Sequence, residues 1–157
     1  MLSAAAVPRW RAARPFALLG GVAIIVGGLL AAAVAHDPRQ QLVWLSAYLV
    51  LIVGVAQIVF GAGQAWLSMP VPRSGWVAGE WLVFNLGNTG VIVGTLAGWF
   101  WLVVTGTLLF AVAIALFLAG TRGDGRHGWL ASYRVLLGLI FLSSLVGLGL
   151  AAAGSMR

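Results

Sequence analysis

The sequence contains no cysteine and few charged residues, and each shortage excludes a class of protein. Without cysteine there can be no disulfide bond, no thiolate-bound metal and no thiol nucleophile. Charged residues make up 8% of the 157 residues, whereas a soluble domain has roughly 25%. Hydrophobic residues make up 62%, and the mean hydropathy is +1.05. A soluble fold this apolar has too few polar groups to cover its surface, so the composition indicates an integral membrane protein.

The apolar residues form five spans, which predict an all-α bundle of five transmembrane helices in a single domain, residues 1–157. The run from Glu80 to Gly120 is too long for one crossing, because about 20 residues span the hydrocarbon core. We therefore predict a tight turn within "AGWFWL", residues 97–102, where the tryptophans suit the membrane interface. The predicted spans are residues 15–35, 42–67, 80–97, 101–120 and 132–153.

All basic residues are arginines, and their distribution predicts an N-terminus inside and a C-terminus outside the bacterial inner membrane. A four-span arrangement would move residues 122–134 outside and almost abolish the excess of arginines on the inside. The positive-inside rule therefore favours five spans. The net charge of +6 then faces anionic lipid rather than nucleic acid. With five spans the inside holds Arg9, Arg11, Arg14, Arg73, Arg122, Arg126 and Arg134, and the outside holds Arg39 and Arg157.

The N-terminus also resembles a secretory signal, because "MLSAAAVPRWRAARP" is basic and "AVA", residues 33–35, follows an apolar stretch. The apolar run is longer than a signal core of about 7–15 residues. We therefore expect a retained first helix, and cleavage of this helix stays an open alternative.

Polar residues within the second and third spans predict an intramembrane cluster. In the predicted topology the two spans bring these residues to similar depths, where amides of Asn85 and Asn88 would pair with those of Gln57 or Gln64. Glu80, the only glutamate, would lie at the membrane boundary and reach interfacial water or Arg73. The alternative is a pocket for a lipid, a quinone or a small solute. The predicted cluster consists of Gln57, Gln64, Glu80, Asn85 and Asn88.

Small residues recur at helix-packing spacing on three spans. In lipid, such stripes allow close backbone approach and van der Waals contact between helices. They predict a compact bundle, or one that docks on a partner. The first span has Ala23, Gly27, Ala31 and Ala35, the third has Gly90, Gly94 and Gly98, and the fifth has Ser143, Gly147 and Ala151.

No set of catalytic or metal-binding residues can be assembled from the sequence. His36 and His127 fall in loops on opposite faces of the predicted bundle, so they cannot share a metal or a haem. Asp37 beside His36 fits an exposed Asp-Pro turn better than a metal site. We expect no enzymatic activity, no cofactor and no bound metal.

Three segments follow a recognisable order: "YLVLIVGVAQIVFGAGQAWL", "EWLVFNLGNTGVIVG" and "GTLLFAVAIALFLAG". In this order they resemble small proteins related to the catalytic subunit of haem–copper oxidases, over about half the chain, residues 42–120. The haem-ligating histidines of that family would fall near Ala47 and Leu49, where this chain has none. The resemblance therefore implies a relative that has lost haem binding.

These observations predict a non-catalytic accessory or structural subunit of a larger bacterial membrane complex, in line with a respiratory relative. Its expected partners are membrane lipids and other membrane-protein subunits. The alternative function is a small transporter or a lipid- or quinone-binding protein, which would use a polar pocket between the second and third helices.

Overall fold

A computed structural model describes residues 6–68, 70–121 and 127–155, and these residues form five helices and no strand. The predicted all-α class is thus confirmed over the described residues. The chain divides into two compact units, residues 1–66 and 67–157, which are described separately, and the single domain stays a prediction. The helices are α1 (Ala6–Ala33), α2 (Gln40–Leu67), α3 (Ser74–Ala97), α4 (Phe100–Gly120) and α5 (His127–Ser155).

The helices extend beyond several of the predicted spans. α1 begins at Ala6 rather than near Pro15, and α3 begins at Ser74 rather than Glu80. The apolar pattern marks only the length suited to hydrocarbon, whereas backbone hydrogen bonding continues into polar residues. Among the described residues, three helices are long and apolar enough to cross a membrane, namely Arg9–Ala33 of α1, Gln40–Leu67 and Phe100–Gly120.

The middle of α2 is a π-helix, Leu49–Ala56, flanked by the α-helical segments Gln40–Tyr48 and Gln57–Leu67. In unit 1 this π-helix packs closely on α1. A Cβ on Gly54 would lie 2.5 Å from Cγ1 of Ile24, which shows how near the two helices are. The hydroxyl of the buried Ser46 also donates a 3.0 Å hydrogen bond to the Gly27 carbonyl. Glycines and one serine therefore hold the two helices together.

The predicted stripe on α1 is correct only in part. Ala23 and Gly27 are buried, but Ala31 is exposed and Ala35 lies beyond the end of the helix. The buried face instead continues toward the N-terminus through Gly20, where a Cβ would meet Ile58 at 2.6 Å. A stripe at every fourth residue drifts around a helix of 3.6 residues per turn, so its far end leaves the contact.

The predicted turn between the third and fourth spans is confirmed. α3 ends at Gly98, which has a left-handed backbone (φ 69°), and the Trp99 N–H donates a 2.8 Å bond to the Gly94 carbonyl. The Trp99 carbonyl then accepts the Leu102 N–H at 3.0 Å, which starts α4. Gly98 therefore serves the turn, where positive φ favours glycine, and is not part of the packing face.

Glycines bring α3 and α4 into backbone contact within unit 2. A Cβ on Gly106 of α4 would lie 2.5 Å from the Val91 nitrogen and 2.7 Å from the Gly87 carbonyl oxygen. A Cβ on Gly90 would lie 2.9 Å from the Gly106 Cα, and a Cβ on Gly94 would also come too close to the backbone of α4. Gly87 and Gly90 of α3 therefore admit the backbone of α4.

The core of unit 2 is built from large side chains that flank these glycines. The ring of Phe84 on α3 lies 5.4 Å from that of Phe110 and 6.3 Å from that of Phe117, both on α4. Helix α5 packs on α4, and its buried residues are Leu130, Tyr133 and Leu137.

Candidate functional site

The single glutamate of the chain is completely buried. Glu80 has 0% of its surface exposed, and its Oε1 accepts a 2.6 Å hydrogen bond from the indole N–H of Trp76. The two residues are four apart on α3, so they lie on the same face, one turn from each other. We expected Glu80 to reach interfacial water or Arg73. The contact with water is contradicted, because Glu80 is buried and Trp76 supplies a donor, whereas the contact with Arg73 stays a prediction.

Tyr133 of α5 belongs to the same polar group. Its side chain is buried, and the Glu80 carboxylate is near enough to act electrostatically on its hydroxyl. Tyr133 was not among the predicted site residues, because one tyrosine at the start of an apolar span carries no sequence signal of its own. α5 thus places an ionisable side chain beside the buried carboxylate of α3.

The predicted amides of α3 bond to their own helix. The Asn85 amide donates to the Trp81 carbonyl at 2.7 Å, and the Asn88 amide donates to the Phe84 carbonyl at 2.8 Å. Asn88 is buried, whereas Asn85 is half-buried. Both bonds use a carbonyl four residues earlier, which is always within reach of a short polar side chain on a helix.

Gln57 and Gln64 of α2 are both buried, and they lie on one face because they are seven residues apart. Neither amide atom of Gln57 has a hydrogen-bond partner among the described residues. The pairing of Gln57 with an asparagine of the third span stays a prediction, because the asparagines belong to the other unit. Pairing of Gln64 stays a prediction, and so does the predicted pocket between the second and third helices.

A pocket of about 300 Å³ opens in unit 2 where α3 begins and α4 ends. We call it the Arg73 pocket, and it is lined by residues 70–73 and by Trp76, Ala119 and Gly120. Among the described residues that line it, Arg73 alone is charged, and the others are apolar apart from the Trp76 indole. Trp76 therefore has one surface on the pocket while its N–H bonds to the buried Glu80.

Arg134 of α5 bonds to the end of α4, next to the lining residue Gly120. Its guanidinium donates to the Thr121 carbonyl, just beyond the last residue of α4. The Thr121 hydroxyl bonds to the Leu118 carbonyl at 2.8 Å, and the Thr121 N–H bonds to the Phe117 carbonyl at 3.1 Å. These bonds satisfy carbonyls that a helix end leaves open, and they place a positive charge at the negative end of the helix dipole.

Several polar residues with defined contacts were missed from the sequence. The Arg9 guanidinium donates to the Trp66 carbonyl at 2.7 Å and thus caps the end of α2. From the sequence, Arg9 was only a topology signal. Ser46 joins α2 to α1, and Ser68 and Thr121 are completely buried. The sequence shows only that an arginine or a serine lies near a span. Residue type alone does not predict the hydrogen-bond partner.

The remaining predicted residues are spread out. Ser143 is exposed on α5, while the surroundings of Gly147 and the side chain of His127 lie outside the described part of the chain. His36 lies between α1 and α2. Within the described ranges there is no group of three or more His, Asp or Glu side chains that could hold a metal ion.

The candidate site combines a buried carboxylate with its indole donor, a tyrosine within electrostatic range of that carboxylate, and a pocket lined by one described arginine. Comparison with known proteins gives no relative to which these features can be transferred: no family model matches the chain, and neither does any curated protein or solved structure.

Proposed function

We propose that this chain is a multi-pass protein of the bacterial inner membrane and serves as a non-catalytic accessory subunit of a larger membrane complex. The membrane assignment draws on the three helices that are long and apolar enough to cross a bilayer. Orientation with the N-terminus inside and the C-terminus outside rests on the arginine distribution. A place among respiratory complexes rests on the sequence resemblance alone.

The distal part of α5 carries the subunit proposal. Beyond Leu137, every described side chain of α5 is half-buried or exposed. This stretch includes the exposed Ser143 and also Gly149, where an added Cβ would meet nothing within 4 Å. Small residues on an open helix face allow another helix to approach closely, whereas a face turned only to lipid gains nothing from them. By contrast, Gly20 and Gly27 of α1 and Gly87, Gly90 and Gly94 of α3 are already packed within their own units.

Affinity purification tests the proposal. The chain, tagged at its N-terminus and expressed at its natural level, is extracted in mild detergent and analysed by native electrophoresis and mass spectrometry. A subunit migrates far above its own mass, together with a stoichiometric partner. Migration as a lone chain or as a symmetric oligomer would instead favour the transporter or the lipid- or quinone-binding protein.

Substitutions at two exposed glycines distinguish loss of specific assembly from general destabilisation of the protein. Gly149→Leu should reduce recovery of the partner several-fold, because a bulky side chain fills the open face. Gly28→Leu is the matched control, since Gly28 is also exposed and an added Cβ there also meets nothing. Equal recovery with both variants would contradict the role of α5.

A further inference from the structure

We propose that the Arg73 pocket binds the phosphate ester of an anionic phospholipid head group. The site goes beyond the proposed subunit function and does not depend on it, since it needs only the helix ends of unit 2. The ligand chemistry is a phosphate monoester or diester with an apolar neighbour, and its source is the membrane.

The position of the pocket favours a lipid. α4 is one of the helices long and apolar enough to cross a membrane, and the pocket opens beside its last residues, Ala119 and Gly120. The end of such a helix lies at the level of the head groups. Trp76, which lines the pocket and is 43% exposed, is of the residue type that prefers this level.

The size and lining of the pocket suit a head group rather than a whole lipid. Its volume of about 300 Å³ is at the lower end for ligand pockets, which run from roughly 300 to 1,000 Å³. Pro70, Pro72 and Ala119 supply apolar surface for the glycerol carbons, while the acyl chains stay outside. The prolines also restrict the backbone of this loop, so little ordering is needed on binding.

The charge of the pocket suits a phosphate. A guanidinium binds phosphate oxygens through charge-assisted hydrogen bonds, and Arg73 places one in the lining. Arg73 is also the N-cap of α3, where its side chain makes no capping bond and the first turn has no acidic residue. The positive end of the α3 dipole therefore adds to the field of the guanidinium.

Glu80 is the one acidic residue among the described residues of unit 2. Its carboxylate does not line the pocket, and its Oε1 accepts the Trp76 N–H. Just beyond the end of α4, Arg134 bonds to the Thr121 carbonyl. The charge of Arg134 therefore offsets the negative end of the α4 dipole, which would otherwise repel an anion.

Native mass spectrometry of the purified full-length chain tests the site. Wild type is titrated in neutral detergent with phosphatidylglycerol and, separately, with phosphatidylcholine. We expect one phosphatidylglycerol to bind and phosphatidylcholine to bind more weakly. Arg73→Gln should weaken phosphatidylglycerol binding about tenfold, since one charge-assisted hydrogen bond is worth at least about 1.4 kcal/mol, or a factor of ten.

Arg11→Gln is the matched control, because Arg11 is exposed, is predicted on the same side of the membrane and does not line the pocket. Ala119→Leu, which fills the cavity and keeps Arg73, should weaken binding as well. Equal affinities of Arg73→Gln and Arg11→Gln, or equal binding of both lipids by wild type, would overturn the proposal. Displacement of the lipid by millimolar glycerol 3-phosphate in solution would overturn the membrane as the source.

Discussion

The indole N–H of Trp76 lies 2.6 Å from Oε1 of Glu80, one turn further along α3, and supplies a hydrogen bond to a carboxylate that has no exposed surface. A buried carboxylate is costly unless donors compensate for the lost water. The same indole lines the Arg73 pocket, so one side chain both stabilises the buried acid and shapes the surface site. Because burial of an ionisable group in an apolar helix bundle is costly, such a group is a candidate functional residue.

Trp76→Phe should destabilise the protein by about 1–3 kcal/mol, because the carboxylate loses a donor while the ring volume is mostly kept. Thermal unfolding in detergent measures the effect. Trp129→Phe serves as the control, since Trp129 is exposed and on α5. Equal losses in the two variants would show that the Trp76 bond contributes nothing specific.

Gln57→Leu should leave the unfolding temperature unchanged or raise it, because an apolar side chain replaces a buried amide that has no hydrogen-bond partner among the described residues. Where it rises, the free energy of unfolding should increase by about 1 kcal/mol. Gln64→Leu is the comparison, as Gln64 is equally buried but engaged in a polar interaction. Gln64→Leu should therefore lower the unfolding temperature.

Combining Gln57→Leu with Asn88→Leu should give an additive effect on stability, because neither amide atom of Gln57 has a hydrogen-bond partner among the described residues. The double-mutant cycle is measured by the same thermal unfolding. Recovery of stability in the double variant relative to the sum of the singles would show that the two amides do pair.

Gly106→Ala should be strongly destabilising, since the added Cβ would collide with backbone atoms of Val91 and Gly87 that cannot move independently. Gly28→Ala introduces the same methyl group where nothing lies within 4 Å, and alanine in a helix is favoured over glycine by roughly 0.5–1 kcal/mol. Circular dichroism during heating should therefore show opposite shifts. A neutral Gly106→Ala would mean that α3 and α4 are not in backbone contact.

The predicted topology places the C-terminus outside and the 122–134 segment inside. A phosphatase reporter fused after Arg157 should be active, and one fused within residues 123–128 should be inactive, because phosphatase folds only after export. A fluorescent-protein fusion at the same two sites should give the reverse pattern. A C-terminal fusion that fluoresces only in the cytoplasm would contradict the five-span topology.

The positions of the helices were predictable from the sequence, because hydropathy is a local and additive property. The turn around Gly98 and Trp99 was predicted within residues 97–102, since a 41-residue apolar run must fold back near its middle and glycine permits positive φ. The helix ends were less accurate at Ala6 and Ser74, where polar residues continue the backbone hydrogen bonds that an apolar window does not register.

The polar contacts between helices were decided only by the tertiary structure. A sequence shows that Ser46 and Arg134 are polar, but the bond that each makes depends on which acceptor is nearest after packing. Ser46 of α2 uses the Gly27 carbonyl of α1, and Arg134 of α5 uses the Thr121 carbonyl beyond α4. Composition and periodicity thus determined that this chain forms apolar helices, whereas packing determined which glycines meet, which charge is buried and where a pocket opens, because those outcomes depend on distances between residues far apart in the chain.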